Sequence, residues 1–221
     1  MRCLVTAGPS FEPLDAVRRL TNFSTGRLGS ELADFLAEHG HEVTLLLSEQ
    51  ATWRSKRCKH TFTTSASLRE LLRGLAGASV DAVFHAAAVS DFAFGRIWRR
   101  SPAGRLTEVR SGKIGTRQGT LLVELVPTPK IIAELRDWYP RAWLVGWKYE
   151  VEGDCGSVIG LAQKQISECR TDACVTNGPA YGAGFGLVKA SAAHRHFRGT
   201  PELFAALAKC IQNNPASGTN R

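Results

Sequence analysis

Apolar and polar positions change period several times along this chain, and each change marks an element. Residues 2–7, "RCLVTA", form a short apolar run closed by Gly8 and Pro9, which predicts a buried strand. In "LTNFSTGRLGSELADFLAEHG" (20–40), Leu28, Leu32, Phe35 and Leu36 recur at i, i+4, i+7 and i+8, one apolar stripe of a helix over 25–39. Ser24 or Thr25 is expected to cap it and Gly40 to stop it. "HEVTLLL" (41–47) returns to a strand, and "SLRELLRGLAG" (67–77) to a helix with Leu68, Leu71, Leu72 and Leu75 on one face. "DAVFHAAAV" (81–89) is a third buried strand ending in small residues. This alternation predicts a parallel sheet with right-handed crossovers. Ligands bind such sheets beyond the carboxyl ends of the strands, so Gly8 and Ala86–Asp91 are expected to share one crevice.

The stretch 93–127 breaks the rhythm. It is polar and basic, then alternates in "GTLLVELV" (119–126), which predicts an extended excursion from the sheet. "PTPKIIAELRDWYP" (127–140) then reads as a helix with Thr128 as cap and Pro129 at its first position. "RAWLVGW" (141–147), a helix over 155–168 and "DACVTN" (172–177) complete a second alternation. A strand over 184–190 and a closing helix over 200–211 follow. No repeat or linker divides the chain. The pattern predicts one α/β domain over 1–212, a Rossmann-like three-layer fold with a mainly parallel sheet, and a disordered tail over 213–221.

Composition adds an ordinary core and a positive charge. Of 221 residues, 43% are hydrophobic and 22% charged, with a net charge of +8 that favours an anionic partner. The basic clusters at 53–60, 95–100 and 194–198 read mainly as solvated loop charge, and no nucleic-acid-binding motif accompanies them. No apolar run approaches the ~18 residues of a membrane span, and the N-terminus is broken too early for a signal peptide. Six scattered cysteines without a C-x-x-C pair read as reduced thiols of a cytoplasmic protein rather than as a zinc site.

Candidate chemistry begins at the start of the first helix. A cap and a stop do not require Gly26, Gly29 and Asn22, whereas a helix N-terminus that receives a phosphate uses small residues to let the ligand reach its N–H groups. The dinucleotide fingerprint G-x-G-x-x-G is absent after the first strand, where Pro9 lacks a donor, and there is no Tyr-x-x-x-Lys pair. Glu49 after the second strand still leaves a ribose contact open. His194 and His196 share a face but have no nearby carboxylate, so they read as surface. Asp91 closes a buried strand, where turn capping and a ligand role are both open. Lys113, between glycines in "RSGKIGTR", reads by itself as a solvated charge.

Together these pieces resemble the phosphopantothenoylcysteine synthetase family, the phosphopantothenate–cysteine ligases of coenzyme A synthesis. The resemblance is carried by "TAGPSFEPLDAVRRLTNFSTGRLGSELA" (6–33), "AAAVSDF" (86–92), "GKI" (112–114), "LLVELVPTPKII" (121–132), "VGWKYE" (145–150), and "DACVTN" with "GFG" (172–186). It implies that a nucleoside triphosphate, with Mg²⁺, activates the carboxylate of 4′-phosphopantothenate as an acyl-nucleotide, which the amine of cysteine then attacks. Carried over by position, Asn22 meets the acyl group, and Ser24, Thr25 and Gly26 meet a phosphate. Gly8, Ala86, Ala87, Ala88 and Asp91 fall at the nucleotide-binding strand ends. Lys113 matches a mobile-loop lysine that neutralises the triphosphate. Pro129, Lys130, Ile131, Ile132 and Trp147 match further nucleotide contacts, and Lys164 approximates a family lysine.

The chain also departs from the family. "KIGT" stands where bacterial members have Lys-Ile-Lys-Lys, "PKII" where they have Pro-Asp-Ile-Leu, and "GWKYE" where they have Gly-Phe-Ala-Ala-Glu. The first block points to CTP and "WKYE" to ATP. A binding paralogue without ligase activity and, further off, a nicotinamide oxidoreductase remain open. A homodimer is expected, with no flavin, nucleic acid or membrane as partner.

Overall fold

The structure, a computed structural model, describes residues 1–110, 112–115 and 119–212; the expected tail over 213–221 lies outside them. In chain order the elements begin with β1 (Arg2–Ala7), the short strands β2 (Phe11–Pro13) and β3 (Arg19–Thr21), and α1 (Arg27–Glu38). Next come β4 (Glu42–Ser48), β5 (Cys58–Phe62), α2 (Ser65–Gly74), β6 (Ala82–His85), β7 (Phe92–Arg100), β8 (Leu106–Glu108) and β9 (Thr120–Pro127). The rest is α3 (Ile131–Trp138), β10 (Trp143–Tyr149), α4 (Cys155–Cys169), β11 (Ala173–Asn177), β12 (Phe185–Lys189), β13 (His194–Phe197) and α5 (Thr200–Gln212).

β1 is apolar on both faces because it lies inside a sheet covered on both sides. Cys3, Val5 and Ala7 pack toward α1 and α5, while Leu4 packs toward α2 and α3. The sheet runs β5-β4-β1-β6-β10-β11-β12-β13, parallel through β11 and antiparallel for the last two strands. The chain leaves β1 for β4 and β5 on one side, then returns to β6 on the other. The switch point therefore lies between β1 and β6, where the following loops part and leave room for a ligand.

Several boundaries differ from expectation for local reasons. The expected Ser24 or Thr25 cap gives way to Gly26, at φ 79° with no side-chain cap bond. Gly26 must be small: a Cβ there would stand 2.9 Å from Ala51 Cβ and 3.3 Å from Gly8 Cα. Gly29 is just as constrained, since its Cβ would lie 2.7 Å from Ala7 Cβ and 3.0 Å from the Thr6 carbonyl. The internal glycine thus lets α1 lie directly on β1. The expected Thr128 cap is Lys130 instead, because Thr128 Oγ1 donates to the Ser90 carbonyl at 2.6 Å, and Pro129 precedes the helix. α2 starts earlier than expected, where Thr64 and Ser67 form a capping box. β6 ends at His85, and its small residues continue into the loop.

The excursion is a separate three-stranded antiparallel sheet, β8-β7-β9, with β7 paired to β9 from Phe92↔Pro127 to Arg100↔Thr120. β2 and β3 form a small hairpin just beyond the end of β1.

Candidate active site

Backbone groups at the switch point fix each other before any ligand is considered. Beyond β1 and β6 the chain pairs once more: Ala88 N–H donates to the Gly8 carbonyl and Ser10 N–H to the Ala88 carbonyl, both at 3.0 Å. Ser10 is buried, and its Oγ accepts the Ser90 N–H at 2.8 Å. Ser48 Oγ, from the end of β4, donates to the Pro9 carbonyl at 2.5 Å. Thr6 Oγ1 accepts the Ala87 N–H at 3.1 Å and contacts His85 Nδ1 at 3.0 Å. Ala86, Ala87 and Ala88 are held yet remain half-buried, so their surface faces the crevice.

The α1 N-terminus completes this crevice. Gly26 sits on Gly8, and N–H groups of the first helical turn lack acceptors inside any helix. Small residues and a helix-end partial positive charge make this a place for a phosphate or carboxylate. Thr25 is exposed and Ser24 half-buried, each with its hydroxyl near a following backbone N–H at 3.3 Å. Asn22 comes from the end of β3 and donates Nδ2 to the Ala88 carbonyl at 3.0 Å. Gly8, Asn22, Ser24, Thr25, Gly26 and Ala86–Ala88 therefore come together around one opening. Asp91 is exposed at its rim, its carbonyl accepting the Thr128 N–H at 2.9 Å.

The remaining candidates divide. Lys113 is exposed, on a segment bonded to the turn between β2 and β3, so it belongs to the hairpin that carries Asn22. Trp147 lies half-buried near the end of β10, with its indole N–H buried and without a hydrogen-bond partner among the described residues. Ile131 and Ile132 are core residues against α2, so only backbone groups of their helix end can serve a ligand. Pro129 and Lys130 are exposed beside them. Lys164 does not join the crevice: it is exposed on α4, 3.8 Å from Glu168. Its neighbour Gln165 turns inward instead, against Gly146 and Ile132.

Ser48 and His85 belong to no recognisable motif, and Thr6 and Ser10 stand inside the 6–33 block, where nothing in the residue type says that a small hydroxyl braces a loop. Asn177 is another such residue, ending β11 with a buried Oδ1 that has no partner among the described residues. A polar amide closing a buried parallel strand is the signal that points to it. Glu12 is buried and accepts both N–H and Oγ–H of Ser65, tying the β2–β3 hairpin to the start of α2.

Titration separates structural from reactive groups. Burial pushes the Cys3 and Cys174 thiols up to about 12, so neither is a nucleophile near neutrality. Burial also lowers His85 to about 4, leaving it neutral. His194 and His196 are exposed as expected, but both contact the Tyr181 hydroxyl, at 3.1 Å each. Among the described residues no three His, Cys, Asp or Glu side chains gather to hold a metal, and no helix is long and apolar enough to cross a membrane.

Known proteins were compared with this arrangement. The family model described as the DNA/pantothenate metabolism flavoprotein C-terminal domain matches residues 1–194. The "Coenzyme A biosynthesis bifunctional protein CoaBC" of Thermococcus kodakarensis is 33% identical over 177 residues, 80% of this chain and 41% of that protein. The Bacillus subtilis protein of the same name is 31% identical over 186 residues, 83% of this chain and 42% of its own length. The chain thus spans less than half the length of these curated relatives. Among solved structures, the DNA/pantothenate metabolism flavoprotein of Streptococcus pneumoniae superposes with a TM-score of 0.83 at 22% identity, covering 96% of this chain and 98% of its own. That likeness establishes the fold.

Proposed function

Since the chain belongs to the family of the DNA/pantothenate metabolism flavoprotein C-terminal domain, we propose that it is the ligase unit that joins 4′-phosphopantothenate to cysteine. The observation that carries this reading is the meeting of Gly8, the α1 N-terminus, the 86–88 loop and Asn22 at one switch point. An acyl-nucleotide route needs positive charge at phosphorus and a held acyl carbonyl. The helix end and Lys113 supply the first, and the Asn22 amide, braced on Ala88, supplies the second. The carboxylate attacks the α-phosphorus and the β- and γ-phosphates leave together as pyrophosphate; the cysteine amine then attacks the acyl carbon, loses a proton and displaces the nucleoside monophosphate.

Mg²⁺ would enter with the triphosphate, whose phosphate oxygens are its natural ligands, and would offset charge at phosphorus. The nucleotide is CTP or ATP: the 6–33 block favours CTP and "WKYE" favours ATP. We place the protein in the cytoplasm, where its six free thiols stay reduced. A second reading, a nucleotide-binding paralogue without turnover, draws on Gly115 and Thr116 standing where the family has lysines.

The test incubates the protein with phosphopantothenate, cysteine, Mg²⁺ and either CTP or ATP. Monophosphate and condensed product are expected. Tight binding without product favours the second reading, and the rates with each nucleotide decide between CTP and ATP.

A further inference from the structure

Lys113 stands between two anchored neighbours. On one side, Ala16 N–H donates to the Gly112 carbonyl at 2.9 Å. On the other, Ile114 N–H donates to Asp15 Oδ2 at 3.1 Å, and Arg18 Nη2 donates to the Ile114 carbonyl at 2.8 Å. The Ile114 side chain is also buried. Segments about a hundred positions apart in sequence are thus joined through three backbone groups, the Gly112 carbonyl and the Ile114 N–H and carbonyl, with one carboxylate and one guanidinium opposite them.

Asp15 is the hub. Its Oδ1 accepts the N–H groups of Val17 and Arg18, at 3.0 and 2.8 Å, which is what an Asx turn requires. The turn needs nothing from the second oxygen. That oxygen takes the Arg18 guanidinium and the Ile114 N–H instead, and the whole carboxylate is inaccessible to solvent. The Arg18 guanidinium holds the carboxyl well below the usual range, so it stays charged throughout ordinary working pH. The same turn joins β2 to β3, and β3 runs directly into Asn22.

We infer that Asp15 is a positioning residue for the ligase reaction: its carboxylate latches Gly112–Ile114 to the 14–18 turn and so sets where the Lys113 ammonium stands relative to Asn22. The inference rests on Lys113 being the counter-charge to the triphosphate, as proposed above. A lysine has a long flexible stem, so only a fixed backbone delivers its charge to one place. Misplacing a group by about 1 Å can cost on the order of 10²-fold in rate.

The experiment compares wild type, Asp15→Asn, Lys113→Ala and the double variant by pyrophosphate release without cysteine. Asn keeps the acceptor that closes the turn but replaces the second oxygen with an N–H₂ group, which cannot accept from Ile114. Asp15→Asn is expected to slow acyl-nucleotide formation by about 10- to 10²-fold. In the Lys113→Ala background it is expected to change the rate hardly at all, because the group it positions is gone. If the two effects multiply, Asp15 acts independently of Lys113 and the positioning role is overturned. If Lys113→Ala alone keeps the wild-type rate, the reading of Lys113 falls, and the positioning role with it. Hydrogen exchange on the wild-type chain decides the latch without any variant. The Ala16 and Ile114 amides are expected to exchange about tenfold or more below the unstructured-chain rate. Exchange at that free rate overturns the latch.

Discussion

Thr6 and His85 face each other across β1 and β6. Thr6 Oγ1 takes the Ala87 N–H, and we assign its own proton to Nδ1 of a neutral His85. Burial lowers the His85 pKa from 6.5 to about 4, so the unfolded chain binds a proton that the folded chain refuses. Stability is therefore unaffected above about pH 6.5 and falls as pH drops from there to about 4, by roughly 3 kcal/mol. Urea unfolding at pH 7 and pH 4.5 measures this, and His85→Asn is expected to flatten that acid slope; an unchanged slope assigns it elsewhere. Lys113 and Asn22 fail differently. Lys113→Ala is expected to slow acyl-nucleotide formation ~10²–10³-fold, and Lys113→Gln almost as much, with an unchanged melting temperature. Asn22→Asp loses the donor to the Ala88 carbonyl and sets two oxygens against each other. It is expected to impair the attack of cysteine, so that acyl-nucleotide accumulates in a mass spectrum. A loss of about 1 kcal/mol of stability accompanies it. Normal pyrophosphate release from Lys113→Ala, or outright unfolding of Asn22→Asp, removes the respective role.

At the scale of elements, α1 and β1 depend on one missing side chain. Gly29→Ala puts a Cβ 2.7 Å from Ala7 Cβ and 3.0 Å from the Thr6 carbonyl, and neither neighbour is a flexible tip. The helix must lift from the strand, at a cost of about 1–3 kcal/mol by overpacking. Thermal unfolding checks this, and weaker nucleotide binding is expected alongside, because the same helix end borders Gly8. An unchanged melting temperature means that α1 does not depend on this approach. The long periodic elements were legible in the sequence: β1, β4, α2, α4 and α5 lie within a few residues of where apolar spacing puts them. β2, β3 and β8 were not, since three residues carry no readable period. The α1 start was misread because Ser24 and Thr25 are good caps in isolation, while the close contact of Gly26 with Gly8 is a tertiary fact. Of the candidate site residues, the structure brings Asn22, Gly26 and Ala86–Ala88 together, because the loops after neighbouring parallel strands meet where the sequence motifs fall. Lys164 was carried over from the family's lysine by position alone, and position along α4 does not say which face a residue takes; it stands exposed beside Glu168, away from the crevice.

At the scale of the whole molecule, the apolar side chains left exposed on the small sheet lead us to expect a second copy. The small sheet exposes Leu106 and Leu122 on one face and Phe92 and Leu125 on the other, and Phe23 beside the candidate site is fully exposed. A three-stranded sheet also offers unpaired outer edges. Wild type is expected to scatter light as a dimer at micromolar concentration, and Leu106→Lys with Leu122→Lys as a monomer; a monomeric wild type overturns this. The sheet order has a further consequence, for the nascent chain. β1 leaves the ribosome before β4 and β6 and pairs with both, but β6 pairs on its far side with β10, which begins about 60 residues later. At ~5–20 residues per second, that edge waits on the order of several seconds for its neighbour. During that interval it is a template for the wrong strand. Its brevity limits the hazard, for β6 has only four residues. The early end of β6, which frees the 86–88 loop to border the crevice, thus also keeps the adhesive edge of a half-made protein short.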